Sequence, residues 1–172
     1  MTRRWLLGSV AIAGFVVVFG CVCEPCDEGK KNKELVAEVF AVIEAGNFDR
    51  LDQYIAADYV RHCQATPDVQ VTSLEIFKEF LARDLETVSD PKLILHRMVA
   101  EDDLVAYWAT YSGIQDGPMG PYPATGKRIE LDFAGMHRIA DDKIVETWAI
   151  WDRLTGLTQL DLFPPISAEA TE

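Results

Sequence analysis

The sequence predicts an α+β domain in which N-terminal helices pack on one face of a curved antiparallel sheet. Three observations carry this expectation. Helical apolar periodicity is confined to the first half of the chain, and runs of β-branched and aromatic residues fill the second half. A chain of 172 residues, 49% of them hydrophobic, has material for one core and is too short for two full-sized domains. Helices first and consecutive strands second place the helices together on one face of the sheet.

The first twenty residues stand apart from that pattern. Arg3 and Arg4 precede an uncharged run from Trp5 to Gly20, and Gly20 precedes Cys21; these are the charged, apolar and small-residue parts of a secretory signal. The run is short for a membrane-spanning helix, which needs about 20 residues, though an uncleaved anchor helix is the other reading. Val18-Phe19-Gly20-Cys21 resembles the bacterial lipobox. That resemblance implies cleavage before Cys21, lipidation of its thiol, and a domain anchored to a membrane of the cell envelope, outside the cytoplasm. Residues 21–32 then make up the lipidated cysteine and a polar linker. Cys23, Cys26 and Cys63 remain for pairing in an oxidising compartment, with connectivity left open. Cys23-x-x-Cys26 has the spacing of zinc ligands, but no second pair follows, so no metal is expected.

The net charge of −12 argues against a nucleic-acid partner, because phosphate binding needs clustered basic residues and the only tight group is Lys30, Lys31 and Lys33. The domain is expected over residues 33–162, with a frayed tail at 163–172. Leu35, Val36, Val39, Phe40, Val42 and Ile43 form a helical face that ends at Gly46, predicting a helix over about 33–45. A second short helix follows through Leu51 and Tyr54, with Asn47 or Asp49 as its cap, and Tyr59-Val60-Arg61-His62 reads as extended. Thr72-Ser73-Leu74-Glu75 has capping-box spacing ahead of an amphipathic helix bearing Leu74, Phe77, Phe80, Leu81 and Leu85. Strands are expected at 93–99, 104–114, 128–139 and 143–151, separated by Glu-Asp-Asp, a Gly/Pro-rich loop and Asp141-Asp142.

The order of Gly46-Asn-Phe-Asp-Arg-Leu-Asp52, Asp58-Tyr-Val-Arg-His62, Phe77-Lys-Glu-Phe80, Pro123-x-Thr-Gly-Lys127, Arg138-Ile139, Lys143-Ile-Val-Glu146 and Trp148-x-x-Trp-Asp152 resembles the SnoaL-like family of polyketide ester cyclases, within the nuclear transport factor 2-like folds. The resemblance implies a cone with a pocket at one end, taking a small, mostly apolar carbonyl compound. It also implies cofactor-free acid/base chemistry of the aldol cyclase or isomerase type, and leaves room for a homodimer. A non-catalytic envelope lipoprotein that binds a ligand or partner through the same cone is the alternative.

The family's general acid/base is an aspartate at the end of the last strand, and the Trp-x-x-Trp-Asp match carries it to Asp152. Alternation puts Ile144, Glu146, Trp148, Ile150 and Asp152 on one strand face, so Trp148 and Asp152 would enter the pocket together. There the carboxyl would lose hydration and its pKa would rise. The other reading of Asp152 is the N-cap of a helix over Leu154 to Leu160. The family's pocket histidine aligns with Gly135. His137 lies on the same strand face, and a hairpin turning at Asp141-Asp142 would pair it with Glu146; a hydrogen-bonded structural role competes with catalysis there. His62 resembles a histidine near the family's pocket mouth, and His96 is expected at the surface. Trp108, Tyr111, Phe133 and Trp148 are the candidate ligand-binding residues, although alternation admits only one of Tyr107/Trp108, and one of Trp148/Trp151, to the interior. No phosphate-binding glycine loop, nucleophile elbow or His/Glu metal motif is present, so no cofactor is expected.

Overall fold

A computed structural model describes residues 25–163, with side chains from Glu28 onward. The leader with Cys21, the side chains of Cys23 and Cys26, and the C-terminal tail lie outside the described residues. Helix α1 spans Pro25–Glu44 and therefore begins eight residues before the expected start. Polar composition concealed this part of the helix. Proline fits the first helical position, where its missing N–H costs nothing, and Glu28 favours the positive end of the helix dipole. Asn32, expected in a linker, is buried, and Lys31 pairs with Asp142 at 2.5 Å. The helix stops where expected. Gly46 takes φ 66°, its N–H donates to the Ile43 carbonyl, and Asn47 N–H donates to the Val42 carbonyl, a Schellman closure.

A short 3-10 turn, Phe48–Gln53, leads into β1, Ile55–Cys63. Helix α2 spans Leu74–Thr87 and is capped by Ser73, whose hydroxyl accepts from Ile76 N–H at 3.3 Å. The cap is thus one residue later than the Thr72 capping box predicts. Strands β2 (Val88–Glu101), β3 (Leu104–Gln115), β4 (Lys127–Ala140) and β5 (Lys143–Trp151) follow, and α3, Arg153–Gln159, closes the described chain. Strand β2 starts five residues earlier than expected and contains Pro91. It tolerates the proline because it is an edge strand with a register shift between Ser89 and Lys92.

The five strands form one sheet in the order β1-β5-β4-β3-β2, antiparallel except that β1 runs parallel to β5. The α1 and α2 helices pack on its inner face, and Val36, Val39, Phe40, Leu51, Tyr59, Phe77, Val105, Tyr107, Ile139 and Ile144 meet in one core. Burial grades along the strands. Inward side chains near the 101–104 and 140–143 turns are fully covered, as Val105 and Ile144 are, whereas Tyr111, Phe133, Cys63 and Trp151 toward the other end are only partly covered. The cone is closed at the first end and open at the second.

Asp141 and Asp142 both adopt positive φ, 50° and 59°, the backbone of a tight two-residue hairpin turn. One register shift beyond it decides the site. Ile139 pairs with Ile144, but Arg138 pairs with Glu146 and His137 with Thr147, leaving Val145 as an extra residue. The bulge reverses the strand faces after Ile144. Ile144, Thr147, Ala149 and Trp151 point inward, while Glu146, Trp148 and Ile150 point outward, opposite to simple alternation from Ile144. The expected pairing of His137 with Glu146 is corrected by the same bulge.

Candidate functional site

Asp152 does not enter the cone. It is fully exposed and caps α3: its Oδ1 accepts from the N–H groups of Leu154 (2.9 Å) and Thr155 (3.2 Å), and its Oδ2 accepts from the Thr155 hydroxyl at 2.6 Å. The hydrogen bond from the Thr155 side chain is the main influence on its carboxyl and holds it below the usual aspartate range, the reverse of the rise expected from desolvation beside Trp148. Trp148 faces outward. Its ring stacks on His62 at 5.5 Å and carries the Arg138 guanidinium at 5.2 Å, while His62 Nε2 meets Glu146 Oε1 at 2.8 Å and Arg138 donates to Glu146 Oε2 at 3.0 Å. This cluster borders a shallow cleft of about 380 Å³ on the outer sheet face, where Met136 and Ile150 also lie. Trp108 stands on that outer face as well, 48% exposed, because its neighbour Tyr107 takes the inward position. His96 is exposed, as expected, and its Nε2 lies 2.7 Å from Thr110 Oγ1.

His137 does face inward, but it is sealed in the core at 6% exposure. Its Nδ1 lies 2.8 Å from Thr147 Oγ1, its ring stacks on Tyr107 at 4.8 Å, and Nε2 has no partner. Burial pushes its pKa down to about 3, so it is a neutral core residue at ordinary pH. Gly135, where the resemblance leads one to expect a histidine, is packed beneath Tyr107: a side-chain carbon there would collide with the Tyr107 hydroxyl and ring.

The chemistry that does face the open end comes from Arg61, Asp84 and Tyr111. On β1, buried Tyr59 fixes the alternation, so Arg61 and Cys63 point inward and His62 outward. The Arg61 guanidinium lies over the Phe80 ring at 4.9 Å and the Trp151 ring at 5.5 Å, within range of the cation–π attraction, and its Nη1 is buried with no hydrogen-bond partner. Asp84 continues the apolar stripe of α2, three residues after Leu81 and seven after Phe77. The Tyr111 hydroxyl donates to its Oδ2 at 2.6 Å. Burial raises the Asp84 pKa, opposed by that hydrogen bond and by the Arg61 charge. Burial also raises the Tyr111 pKa, with the Asp84 charge adding to it, so the phenol stays protonated. Tyr111 and Asp84 also line a cavity of about 30 Å³ with Leu81 and Leu93. Phe133 completes the aromatic lining, stacked on Phe40 at 6.2 Å and edge-on to Tyr107 at 5.8 Å.

Of the residues predicted for the site, Tyr111 and Phe133 face the cone interior toward its open end, His137 is walled off beneath them, and Asp152, His62, Trp108 and Trp148 lie outside. Two polar residues were missed, Arg61 and Asp84. Each carries a sequence signal, a charge in phase with a buried apolar series: Tyr59, Arg61, Cys63 on the strand and Phe77, Leu81, Asp84 on the helix.

The chain belongs to the SnoaL-like polyketide cyclase family, whose model matches residues 33–160. Among solved structures it is similar to IdmH, a candidate polyketide cyclase from Streptomyces antibioticus, at 25% identity and a TM-score of 0.67 over 76% of this chain and 98% of that one. TsrD from Streptomyces laurentii is 26% identical with a TM-score of 0.70, covering 78% of this chain and 97% of its own. A SnoaL-like structure from Jannaschia sp. CCS1, at 21% identity and a TM-score of 0.70 over 79% of this chain and 95% of that one, shares the fold. No curated protein matches the chain significantly.

Proposed function

We propose that this domain binds a small, mostly apolar carbonyl compound at the open end of its cone, and that proton transfer to or from such a ligand runs through Asp84. The observation that carries this reading is the Arg61–Asp84–Tyr111 group set among Phe80, Phe133 and Trp151, polar groups aimed inward from an otherwise apolar wall. A carboxyl whose pKa is raised by burial holds a proton more readily than an exposed one, and a phenol at 2.6 Å fixes its orientation. The family's polyketide cyclases and the candidate cyclase IdmH fit a ligand of this type. A second reading, a binding protein without turnover, is favoured by the exposed capping role of Asp152 and by the glycine at 135 where the family has histidine.

Assaying a panel of polyketide esters for binding and ring closure separates these readings. Asp84→Asn is expected to abolish turnover while keeping affinity within a few fold, and Asp152→Asn to leave both unchanged. Loss of turnover in Asp152→Asn alone would return the chemistry to that residue. Saturable binding without turnover in the unaltered protein establishes the second reading, and absence of both refutes the proposal.

For the leader we propose cleavage before Cys21 and lipidation of its thiol, which would hold the domain at the envelope through more than one acyl chain. Mass spectrometry of the N-terminal peptide is expected to find a diacylated Cys21; an intact Met1 terminus contradicts this.

A further inference from the structure

We infer that the open end of the cone is built for the anionic oxygen of a flat, apolar ligand, a ring compound bearing a carboxylate, with Arg61 as its anchor. This rests on the proposed location of the ligand and adds its charge. A guanidinium is always protonated, and placing one against apolar walls is costly unless an anion or acceptors satisfy its N–H groups. Arg61 takes part in none of the ion pairs found among the described residues. Its Nη1 is buried and donates to nothing. Asp84, the inward carboxylate nearest in kind, is engaged by the Tyr111 hydroxyl and acts on Arg61 through its field alone. The other ionisable groups that feel the Arg61 charge, Tyr59 and Tyr107, are phenols held neutral by burial. The guanidinium is thus a cation without a paired anion among the described residues, and a ligand carboxylate would supply one.

The flanking groups define the rest of that ligand. Phe80 and Trp151 present ring faces to the guanidinium, and Phe133 lies across from Trp151 on the neighbouring strand. A planar ring system offers these surfaces offset stacking, and a planar carboxylate matches the guanidinium fork. A neutral amide of the same shape offers one carbonyl acceptor in place of two charged oxygens, so it loses the ion pair and the two-pronged fit to the guanidinium.

Calorimetric titration of the full chain with 2-naphthoate and with its neutral isostere 2-naphthamide tests this. The carboxylate is expected to bind at least tenfold more tightly than the amide. In Arg61→Met, which keeps the apolar stem, the two are expected to bind equally and at the amide's affinity. The melting temperature of Arg61→Met is expected to match or exceed that of the unaltered protein, because a buried donor without an acceptor has been removed. Equal affinities in the unaltered protein overturn the charge assignment while leaving the ligand site intact. A preference for naphthoate that survives in Arg61→Met places the anion elsewhere and overturns the assignment too. If neither compound binds, both the charge and the site fall.

Discussion

Acidification from pH 7 to pH 5 is expected to cost the protein about 2 kcal/mol of folding stability through His137 alone, at a limiting slope of about 1.4 kcal/mol per pH unit. The folded imidazole has a pKa of about 3, against 6.5 when unperturbed. Between those values the unfolded chain binds a proton that the folded chain refuses, so stability rises with pH. The contribution is fully present above about pH 6.5 and is lost progressively below it. The physical cause is local. His137 is 6% exposed, one ring nitrogen is taken by Thr147, and the other is buried with no hydrogen-bond partner among the described residues. Denaturant titrations at pH 7 and pH 5 read the effect. His137→Gln, which can keep a hydrogen bond to Thr147 without titrating, should lose about 2 kcal/mol less than the unaltered protein over that interval. Equal losses in the two proteins would mean that the folded histidine accepts its proton freely.

Gly135→Ala is expected to destabilise the fold by about 1–3 kcal/mol or more, the range for forcing added atoms into a filled core. The new methyl group would overlap the Tyr107 hydroxyl and ring carbon and would sit 2.8 Å from the Trp148 carbonyl oxygen. Tyr107 cannot swing aside, because it is packed edge-on to Phe40 at 5.1 Å and to Phe133 at 5.8 Å and stacked on His137. Backbone on one side and a locked ring on the other leave no cheap relaxation. Differential scanning calorimetry of Gly135→Ala checks this, and a melting temperature equal to that of the unaltered protein would show that Tyr107 can yield. The result bears on function, since the same obstruction blocks a histidine at 135. In this chain Tyr107 fills the space that a histidine at 135 would need.

Most of the architecture was legible because its signals are periodic. The Leu35 to Ile43 face, the αL glycine at 46 and the four strands each announce themselves within a few residues. The site was less legible because its geometry depends on one unpaired residue. Val145 leaves no mark in the sequence, yet it turns Trp148 outward and brings Trp151 in, and every inference drawn by alternation from Ile144 inherits the error. Asp152 was assigned by position after a strand, where a capping role satisfies the same residue type and needs no pocket. Arg61 and Asp84 were overlooked because charged residues are ordinarily read as surface, although both lie in phase with buried neighbours. The helical start at Pro25 left no apolar signal because residues 25–32 carry no apolar stripe, even where Asn32 is buried.

We propose that ligand binds inside the open end of the cone, at Arg61 and Asp84, and not on the outer face beside Trp148. A crystal structure of the protein soaked with 2-naphthoate or a polyketide ester tests it most directly. The ring system is expected against Phe133 and Trp151, with an oxygen within hydrogen-bonding distance of the Arg61 guanidinium. Ligand density confined to the outer cleft of His62, Met136, Trp148 and Ile150, with Nη1 still unpartnered, would contradict it.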